Sequence, residues 1–175
     1  MNKPTFESIV DEHGDYIHRT LRALRVPWND VPEVAQEVLA AVHRRLPAFD
    51  PARAERPENA VRSWLIAICQ RQARNYHRDR RRRGEHECLQ ADLDRELAEG
   101  PDNEEAYDAR ETTLILFELV DTLCPERRDV VVAYEVEGMP MSDVARAQGI
   151  PLNTAWNRLR LGREDLRRAW HRRAR

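Results

Sequence analysis

Apolar residues recur at steps of three and four residues along most of this chain, and this spacing constrains the fold more than any other feature. Steps of this size place apolar side chains on one face of an α-helix. Such faces run over residues 6–24, 31–46 and about 61–83, the last with Trp64, Leu65, Ile68 and Tyr76 pointing inward. The nearest approach to a strand, residues 130–134, lies between a proline and a glycine that suit the two ends of a helix. The sequence therefore predicts an all-α protein.

Residues 84–107 differ in kind from the segments on either side. They carry nine acidic side chains against one arginine, and few large apolar residues. Such a composition buries too little surface to offset the entropy of ordering, which predicts a flexible linker. Helical spacing resumes with Leu114, Phe117, Val120 and Leu123. We therefore expect two small helical domains, residues 1–84 and 110–175, joined by a flexible acidic linker over residues 85–109.

The formal charge conceals a strong segregation along the chain. With 29 basic and 31 acidic residues the net charge is −2, which by itself argues against a nucleic-acid partner. Residues 1–84 nevertheless carry +5, residues 85–111 carry −9, residues 112–137 carry −4 and residues 138–175 carry +6. Two basic blocks separated by an acidic one are compatible with two surfaces that bind polyanions.

Several classes of protein are disfavoured by what the sequence lacks. No run of 18 apolar residues and no signal peptide is visible, so no membrane insertion is expected and the chain is predicted to be cytoplasmic. The cysteines Cys69, Cys88 and Cys124 are too scattered for a disulfide framework. His86 and Cys88 form only one pair of potential zinc ligands, whereas a structural zinc site needs two such pairs. Without a phosphate loop or a catalytic triad pattern, we expect no metal, no cofactor and no enzymatic activity.

The C-terminal segment has the pattern of a helix-turn-helix. Ser142 is predicted to cap a short helix, Gly149 to supply a turn with positive φ, and Leu152 or Asn153 to begin a longer helix. At 100° per residue, one face of that helix holds Ala155, Leu159, Gly162 and Leu166. The opposite side holds Asn153, Asn157, Arg160 and Glu164, flanked by Trp156, Arg158 and Arg163. Amide and guanidinium groups suit base edges and phosphates, although a solvated surface helix in a bundle would look similar.

The third helical segment is strongly basic and contains two aromatic residues. Its cations are Arg62, Arg71, Arg74, Arg78 and the run from Arg80 to Arg83. Trp64 and Tyr76 lie among them, and aromatic rings beside cations can stack on unpaired bases. The alternative is that both aromatic residues belong to the core and that the arginine run is a solvated helix end.

Four motifs occur in an order that resembles a known family. Residues 30–38 resemble the pattern D-x-x-D/E-x-x-Q-E-V, and residues 63–68 resemble W-L-x-x-I. Residues 123–128 resemble L-P-x-x-x-R, and residues 138–145 resemble G-x-x-x-x-E-I-A. Together they resemble the extracytoplasmic-function (ECF) group of bacterial RNA polymerase sigma factors, over roughly residues 5–83 and 110–170.

This resemblance implies a sigma factor that binds core RNA polymerase and directs it to promoter DNA. Residues 1–84 would correspond to sigma region 2 and residues 110–175 to region 4. The polymerase-binding residues would be Glu33, Gln36, Glu37, Leu39 and Arg44. Those that contact and help to melt the −10 element would be Arg62, Trp64, Arg71, Arg74, Asn75, Tyr76, Arg78 and Arg81. Those that read the −35 element would be Asn153, Thr154, Trp156, Asn157, Arg158, Arg160 and Arg163. The family also implies an anti-sigma factor as a partner.

The chain departs from the family pattern at four positions. Arg71 replaces an asparagine and Asn75 an aspartate in the helix that would contact the −10 element. In the recognition helix, Leu161 replaces an arginine and Gly162 an alanine. The first of these two changes removes a phosphate contact, and the glycine costs about 1 kcal/mol of helix propensity.

Two other functions remain compatible with the residues alone. A stand-alone helix-turn-helix regulator would bind duplex DNA without polymerase. A helical adaptor would use the same basic faces to bind acidic proteins.

Overall fold

The computed structural model describes residues 4–54, 59–83, 115–116 and 118–173, and their regular structure is helical, with no strand. The helices are α1 (Phe6–Ala23), α2 (Val31–Arg45), α3 (Ala60–Arg83), α4 (Pro125–Val131), α5 (Met141–Gln148) and α6 (Leu152–Arg173). This confirms the all-α prediction. The predicted linker lies outside the described residues, and the domain boundaries drawn on either side of it stay predictions.

The first half of the chain is a bundle in which α1, α2 and α3 pack against one another. Helix α1 begins with a capping box, since the Thr5 hydroxyl accepts from the Ser8 backbone N–H and the Ser8 hydroxyl lies 3.2 Å from the Thr5 N–H. The apolar residues that recur along these helices fill the bundle core, among them Ile9, Leu21 and Val38. The spacing in the sequence therefore places these three helices correctly.

The second half begins with helical residues 115–116 and 118–121 and continues through α4, α5 and α6. Helix α4 passes into a π-helical turn over Val132–Val136, so the helical prediction for residues 130–134 is confirmed. Gly149 ends α5 with φ +65°, and α6 begins at Leu152, both as predicted. The predicted cap is wrong: α5 begins at Met141 after Pro140, which places Ser142 inside the first turn.

Gly162 has a packing role that helix propensity does not reveal. It is buried in α6, together with Ala155 and Leu159, where that helix crosses α4. A Cβ at position 162 would lie 2.7 Å from Cγ2 of Val131, closer than real Cβ atoms approach a neighbour. The glycine therefore allows α6 to approach α4 more closely than an alanine would.

Each half of the chain contributes residues to the hydrophobic core of the other half. Val120 and Val132 from the second half are buried in the core of the first bundle. In the opposite direction, Ile66 of α3 is buried among residues of the second half. Arg25 and Asp121 form an ion pair across the same boundary. The sequence predicted two domains held apart by a tether and did not predict this contact.

No helix in the described part of the chain is both long enough and apolar enough to cross a membrane. The described residues also contain no group of three or more histidine, cysteine or acidic side chains placed to hold a metal ion. Cys69 is buried and Cys124 is exposed, and both are free thiols. His86 and Cys88, weighed above as zinc ligands, lie outside the described residues.

Candidate nucleic-acid interface

Helix α6 presents the predicted DNA-reading residues on its outer side. Five of them are exposed, namely Asn153, Trp156, Asn157, Arg160 and Arg163. Thr154 and Arg158 are half-buried. Because Ala155 and Leu159 are buried on the inner side, the amphipathic pattern orients the helix as the sequence predicted. The structure therefore brings this set together on one accessible surface.

Arg160 is held along the surface of its own helix. Its Nη2 donates to Oδ1 of Asn157 at 3.0 Å, and its Nη1 donates to Oε1 of Glu164 at 2.5 Å. These partners lie three and four residues away, the separations at which helical side chains meet. An exposed pair of this kind contributes little to stability, so the guanidinium can exchange its carboxylate partner for a phosphate or a guanine edge.

Two residues of the π-helical turn support the outer side of α6. The Trp156 ring packs edge-to-face on Tyr134 with a centroid distance of 5.5 Å. Arg163 Nε donates to Oε1 of Glu135 at 2.6 Å. The sequence analysis missed Tyr134 and Glu135, because nothing local in a helical segment indicates which side chains meet a helix more than 20 residues later. These contacts orient Trp156 and Arg163 on the outer side of α6.

The predicted DNA-contacting arginines of α3 are all exposed, and they divide into two groups by the contacts they make. Arg71, Arg78 and Arg81 are exposed, and Asn75 is half-buried. Their contacts are local: Asn75 Nδ2 donates to Oε1 of Gln72 at 3.2 Å, and Arg81 Nε donates to the His77 carbonyl oxygen at 3.3 Å. These side chains remain accessible to a polyanion.

The two aromatic residues of α3 are tied into the bundle. The Tyr76 hydroxyl donates to the carboxylate of Asp30 and accepts from Arg80 Nη1 at 2.7 Å. Burial and the bond to Asp30 raise the pKa of Tyr76 well above its ordinary value. The Trp64 ring packs against Phe49 with a centroid distance of 4.7 Å. Both rings thus have structural partners, and their contact with unpaired bases stays a prediction.

Trp64 also lines a groove between the two halves. The groove has a volume of about 220 Å³, and its far wall includes Asp143 and Arg146 of α5. The wall around Trp64 includes Ser63 and Ala67. One predicted −10 residue therefore lies across a groove from α5 of the helix-turn-helix.

The second group of α3 cations meets carboxylates of the second half. Arg74 Nε lies 2.9 Å from Oδ2 of Asp129, and Arg62 Nη2 lies 3.6 Å from Oε2 of Glu137. Thr20 of α1 donates its hydroxyl to Glu137 Oε1 at 3.3 Å. Two arginines predicted to contact DNA are thus paired with acids of the same chain.

Asp129 is 5% exposed, and its burial raises the pKa of its carboxyl group to about 6. The charges around it act in both directions: Arg74, Arg128 and His77 lower this pKa, and Glu126 raises it. Burial likewise raises the pKa of Glu137 above its ordinary value, against the attraction of Arg62. Desolvation therefore outweighs ion pairing at both carboxylates.

Helix α2 exposes the polar residues predicted to bind polymerase. Glu33, Gln36, Glu37 and Arg44 are exposed on one side, while the apolar residues Val34, Val38 and Val42 are buried on the other. Leu39 is half-buried and packs against the bundle core. The structure supplies a polar surface at this place, and the identity of its partner stays a prediction.

Family models match both halves of the chain. A model described as sigma-70 region 2 matches residues 9–83, and one described as sigma-70, region 4, matches residues 113–166. The chain belongs to the sigma-70 family. The region 2 match contains α3, and the region 4 match contains α6 as far as residue 166, which includes all of its predicted DNA-reading residues.

Curated relatives place the chain in the ECF subfamily of the sigma-70 family. It is 29% identical over 164 residues to an ECF RNA polymerase sigma factor, SigE, of Mycolicibacterium smegmatis, covering 94% of this chain and 61% of that protein. It is 25% identical over 169 residues to an ECF RNA polymerase sigma-E factor of Haemophilus influenzae, covering 93% and 86%. The chain thus spans less than two thirds of the length of the mycobacterial protein.

Two solved structures share the fold of this sigma-70 chain. One is CnrH in complex with the cytosolic domain of CnrY, with a TM-score of 0.64 and 20% identity over 95% of this chain and 87% of that one. The other is the sigma factor RpoE in complex with the anti-sigma factor NepR from Bartonella quintana, with a TM-score of 0.64 and 14% identity over 93% and 94%. The overall arrangement of helices is therefore similar to that in both structures.

Proposed function

We propose that this chain is an alternative sigma factor that binds core RNA polymerase and directs promoter-specific initiation of transcription. The observation that carries the proposal is the pairing of the two sigma-70 regions with two arginine-bearing helices. A protein with one of these helices could bind DNA. Two of them, in the order of the family, suit a promoter with two separated elements.

The two helices have different tasks in this proposal. Helix α6 reads the −35 element as duplex, because its exposed amides and guanidinium groups match base edges in the major groove. Helix α3 contacts the −10 element during strand opening, where its solvent-facing arginines follow the phosphate backbone. Opening the strands costs a few kcal/mol, which contacts with unpaired bases offset. The chain acts by binding, without catalytic residues of its own.

Polymerase binding is the first test of the proposed function. Size-exclusion chromatography of the chain with purified bacterial core RNA polymerase should give a stable complex. Reversing two charges of α2, Glu33→Lys with Glu37→Lys, should weaken that complex. A matched reversal on α1, Glu12→Lys, changes an equally exposed carboxylate and should leave it unaffected. If the unaltered chain forms no complex with core polymerase, the sigma-factor proposal is wrong.

Transcription separates the remaining alternatives. Transcripts made from genomic DNA by the reconstituted holoenzyme should share two upstream sequence elements at a fixed separation. A stand-alone helix-turn-helix regulator would bind duplex DNA but would give no such transcripts. An adaptor that binds acidic proteins would give neither result.

We further propose that an anti-sigma factor binds this chain, and that the chain itself acts in the cytoplasm with polymerase. Both similar structures are complexes, one with the cytosolic domain of CnrY and one with the anti-sigma factor NepR. Purification of the tagged chain from its native cell should recover a stoichiometric partner that blocks its binding to core polymerase. Recovery of polymerase alone under all growth conditions would contradict this part of the proposal.

A further inference from the structure

Five exposed side chains follow one line along α6, at alternating steps of four and three residues. They are Trp156, Arg160, Arg163, Arg167 and Trp170. Side chains at these separations share one face of a helix, so the five form a continuous stripe, called here the α6 stripe. The first three belong to the predicted −35 set. The last two lie beyond residue 166, where the match to sigma-70 region 4 ends.

The tryptophan at the far end of the α6 stripe is exposed on a well-packed helix. Trp170 is 49% exposed, although its indole ring is among the largest apolar groups that a protein can bury. The preceding residue, Ala169, is buried, so this end of α6 packs against the protein while the indole ring faces solvent. An exposed ring on a fixed backbone is typical of a surface that binds a partner.

The charges beside Trp170 indicate the chemistry of that partner. Residues 167–173 carry four arginines and no acidic side chain. Arg160 and Arg163 each pair with a glutamate, whereas Arg167 has no acidic partner in the part of the chain that the structure describes. Cations near a helix C-terminus also favour the helix dipole, but this effect does not account for an exposed indole among them. A cationic and aromatic surface suits the phosphates and sugars of a nucleic-acid backbone.

The length of α6 places this surface outside the groove that its first turns would enter. The helix has 22 residues, which corresponds to about 33 Å. The major groove is only about 12 Å wide and curves around the duplex. When the N-terminal residues of a recognition helix contact base edges, the C-terminal end of a helix this long passes out of the groove. Trp170 lies about 15 Å along the axis from Arg160, and therefore reaches the backbone beside the bases that Arg160 contacts.

We propose that Arg167 and Trp170 bind the sugar–phosphate backbone on one side of the −35 element, as a second contact of α6 that does not depend on base sequence. The Arg167 guanidinium donates to phosphate oxygens. The Trp170 ring packs on a deoxyribose, and its indole N–H donates to a phosphate. This inference rests on the proposed function for the identity of the DNA, and transcript mapping tests that function separately.

Promoter affinity tests the contact in the reconstituted holoenzyme, with fluorescein-labelled duplexes that carry the mapped promoters. Arg167→Ala and Trp170→Ala should each weaken binding about fivefold. The factor should be similar for all promoters, because a backbone contact reads no bases, whereas Arg160→Ala should change their ranking. Trp28→Ala removes a similarly exposed ring from the first half and should leave binding unchanged. Unchanged affinity, or a changed ranking, in the Arg167 and Trp170 variants would overturn the inference.

The salt dependence of the same binding distinguishes a phosphate contact from a general effect of charge. Each phosphate neutralised on duplex DNA contributes about 0.9 to the slope of log K against log salt. Arg167→Ala should therefore reduce the slope by about 0.9, and Arg167→Lys should retain it. The matched control is Arg172→Ala, which removes an equal charge from an exposed arginine about 140° away around the helix. Equal losses of slope in the two alanine variants would overturn the inference.

Hydroxyl-radical cleavage locates the contact, because it reports the exposure of each deoxyribose. The unaltered holoenzyme should protect a few sugars immediately beside the −35 element on one side. Combining Arg167→Ala with Trp170→Ala should remove that protection and retain the protection of the −35 element itself. A footprint that the double variant does not change would contradict the assignment.

Size-exclusion chromatography with core polymerase separates DNA from a protein partner for the exposed ring. Trp170→Ala should form the complex as the unaltered chain does. A weaker complex would assign the ring to polymerase and overturn the inference. If the unaltered chain forms no complex, the proposed function is wrong, and the salt slopes of the chain alone on random-sequence duplex DNA still decide whether Arg167 and Trp170 bind a backbone.

Discussion

Replacement of Gly162 by alanine sets two physical effects against each other inside α6. Alanine has a higher helix propensity than glycine by about 1 kcal/mol, which on its own would stabilise the protein. The new Cβ would however lie 2.7 Å from Val131 Cγ2 and 3.7 Å from Arg127 Cβ. The first of these separations requires one helix to move or Val131 to change its rotamer.

The environment of Val131 decides which effect is larger. This valine is 2% exposed, and a β-branched residue in a helix has one strongly preferred rotamer, so it cannot turn away at low cost. Added methyl groups in well-packed interiors typically cost about 1–3 kcal/mol. After the propensity gain is subtracted, we expect Gly162→Ala to lower the free energy of unfolding by about 1 kcal/mol.

Urea denaturation followed by circular dichroism measures this change, and the chain offers a matched control. Gly14 lies within α1, and a Cβ there would meet no atom within 4 Å. Gly14→Ala should therefore raise the free energy of unfolding by about 0.5–1 kcal/mol. The same substitution is thus expected to have opposite signs at two helical positions.

A double-mutant cycle identifies the steric cause. Val131→Ala creates space that the methyl group introduced by Gly162→Ala can occupy, so the two changes together should be less destabilising than their sum by about 1 kcal/mol. If Gly162→Ala stabilises the protein as much as Gly14→Ala does, close packing of α4 and α6 does not explain the glycine. Strict additivity of the cycle would refute the assignment of the clash to Val131.

Three further outcomes follow from the contacts of single side chains. Arg160→Ala should change the free energy of unfolding by less than about 0.5 kcal/mol, because the ion pair of Arg160 is exposed. The same variant should weaken −35 recognition by about 1–3 kcal/mol in a sequence-dependent way. An unchanged transcript profile would contradict the assignment of the outer side of α6 to −35 recognition. Tyr76→Phe should cost about 1 kcal/mol of stability in urea denaturation, since it deletes the hydrogen bond to Asp30 and the bond accepted from Arg80. The third concerns Asp129, whose pKa is about 6 in the folded chain against 3.8 for an unperturbed aspartate. The folded chain keeps a proton that the unfolded chain releases between these values, so this carboxyl group favours the folded state at low pH, and its contribution is lost as pH rises through 6. In urea denaturation, Asp129→Asn should therefore reduce the fall in the free energy of unfolding between pH 5 and pH 8; an equally steep fall in the variant would contradict the assignment to Asp129.

The helices were predictable because their apolar spacing is a local property. Three-residue and four-residue steps place α1, α2 and α3 within a few residues of their observed ends, and the start of α6 is also as predicted. The outward face of α6 was predictable for the same reason, since a helical wheel requires only the sequence of one element. Gly149 was predictable because its turn requires positive φ.

The contact between the halves was not predictable from local patterns. Asp129 and Gln70 are 59 residues apart, and an acid and an amide on helical segments are typical of solvated surfaces. The apolar face predicted for α3 includes Leu65 and Ile68 but not Ile66, which is buried in the core of the second half. For the same reason, Gly162 was interpreted through helix propensity, because its neighbour Val131 comes from another helix. Charges predicted to meet DNA therefore have protein partners that only the folded chain reveals.

The helical segment from Pro125 to Val136 lies between the two hydrophobic cores. Neighbouring residues of this segment pack into different cores. Val131 packs toward α6, while Val132 is buried in the core of the first bundle. Successive residues of a helix differ in direction by about 100°, so deletion or insertion of a single residue here would turn both valines away from their partners at once. In a library of one-residue insertions and deletions, this stretch is expected to tolerate none. The number of residues between Pro125 and Gly138 is thus a stricter requirement than the identity of most side chains within it.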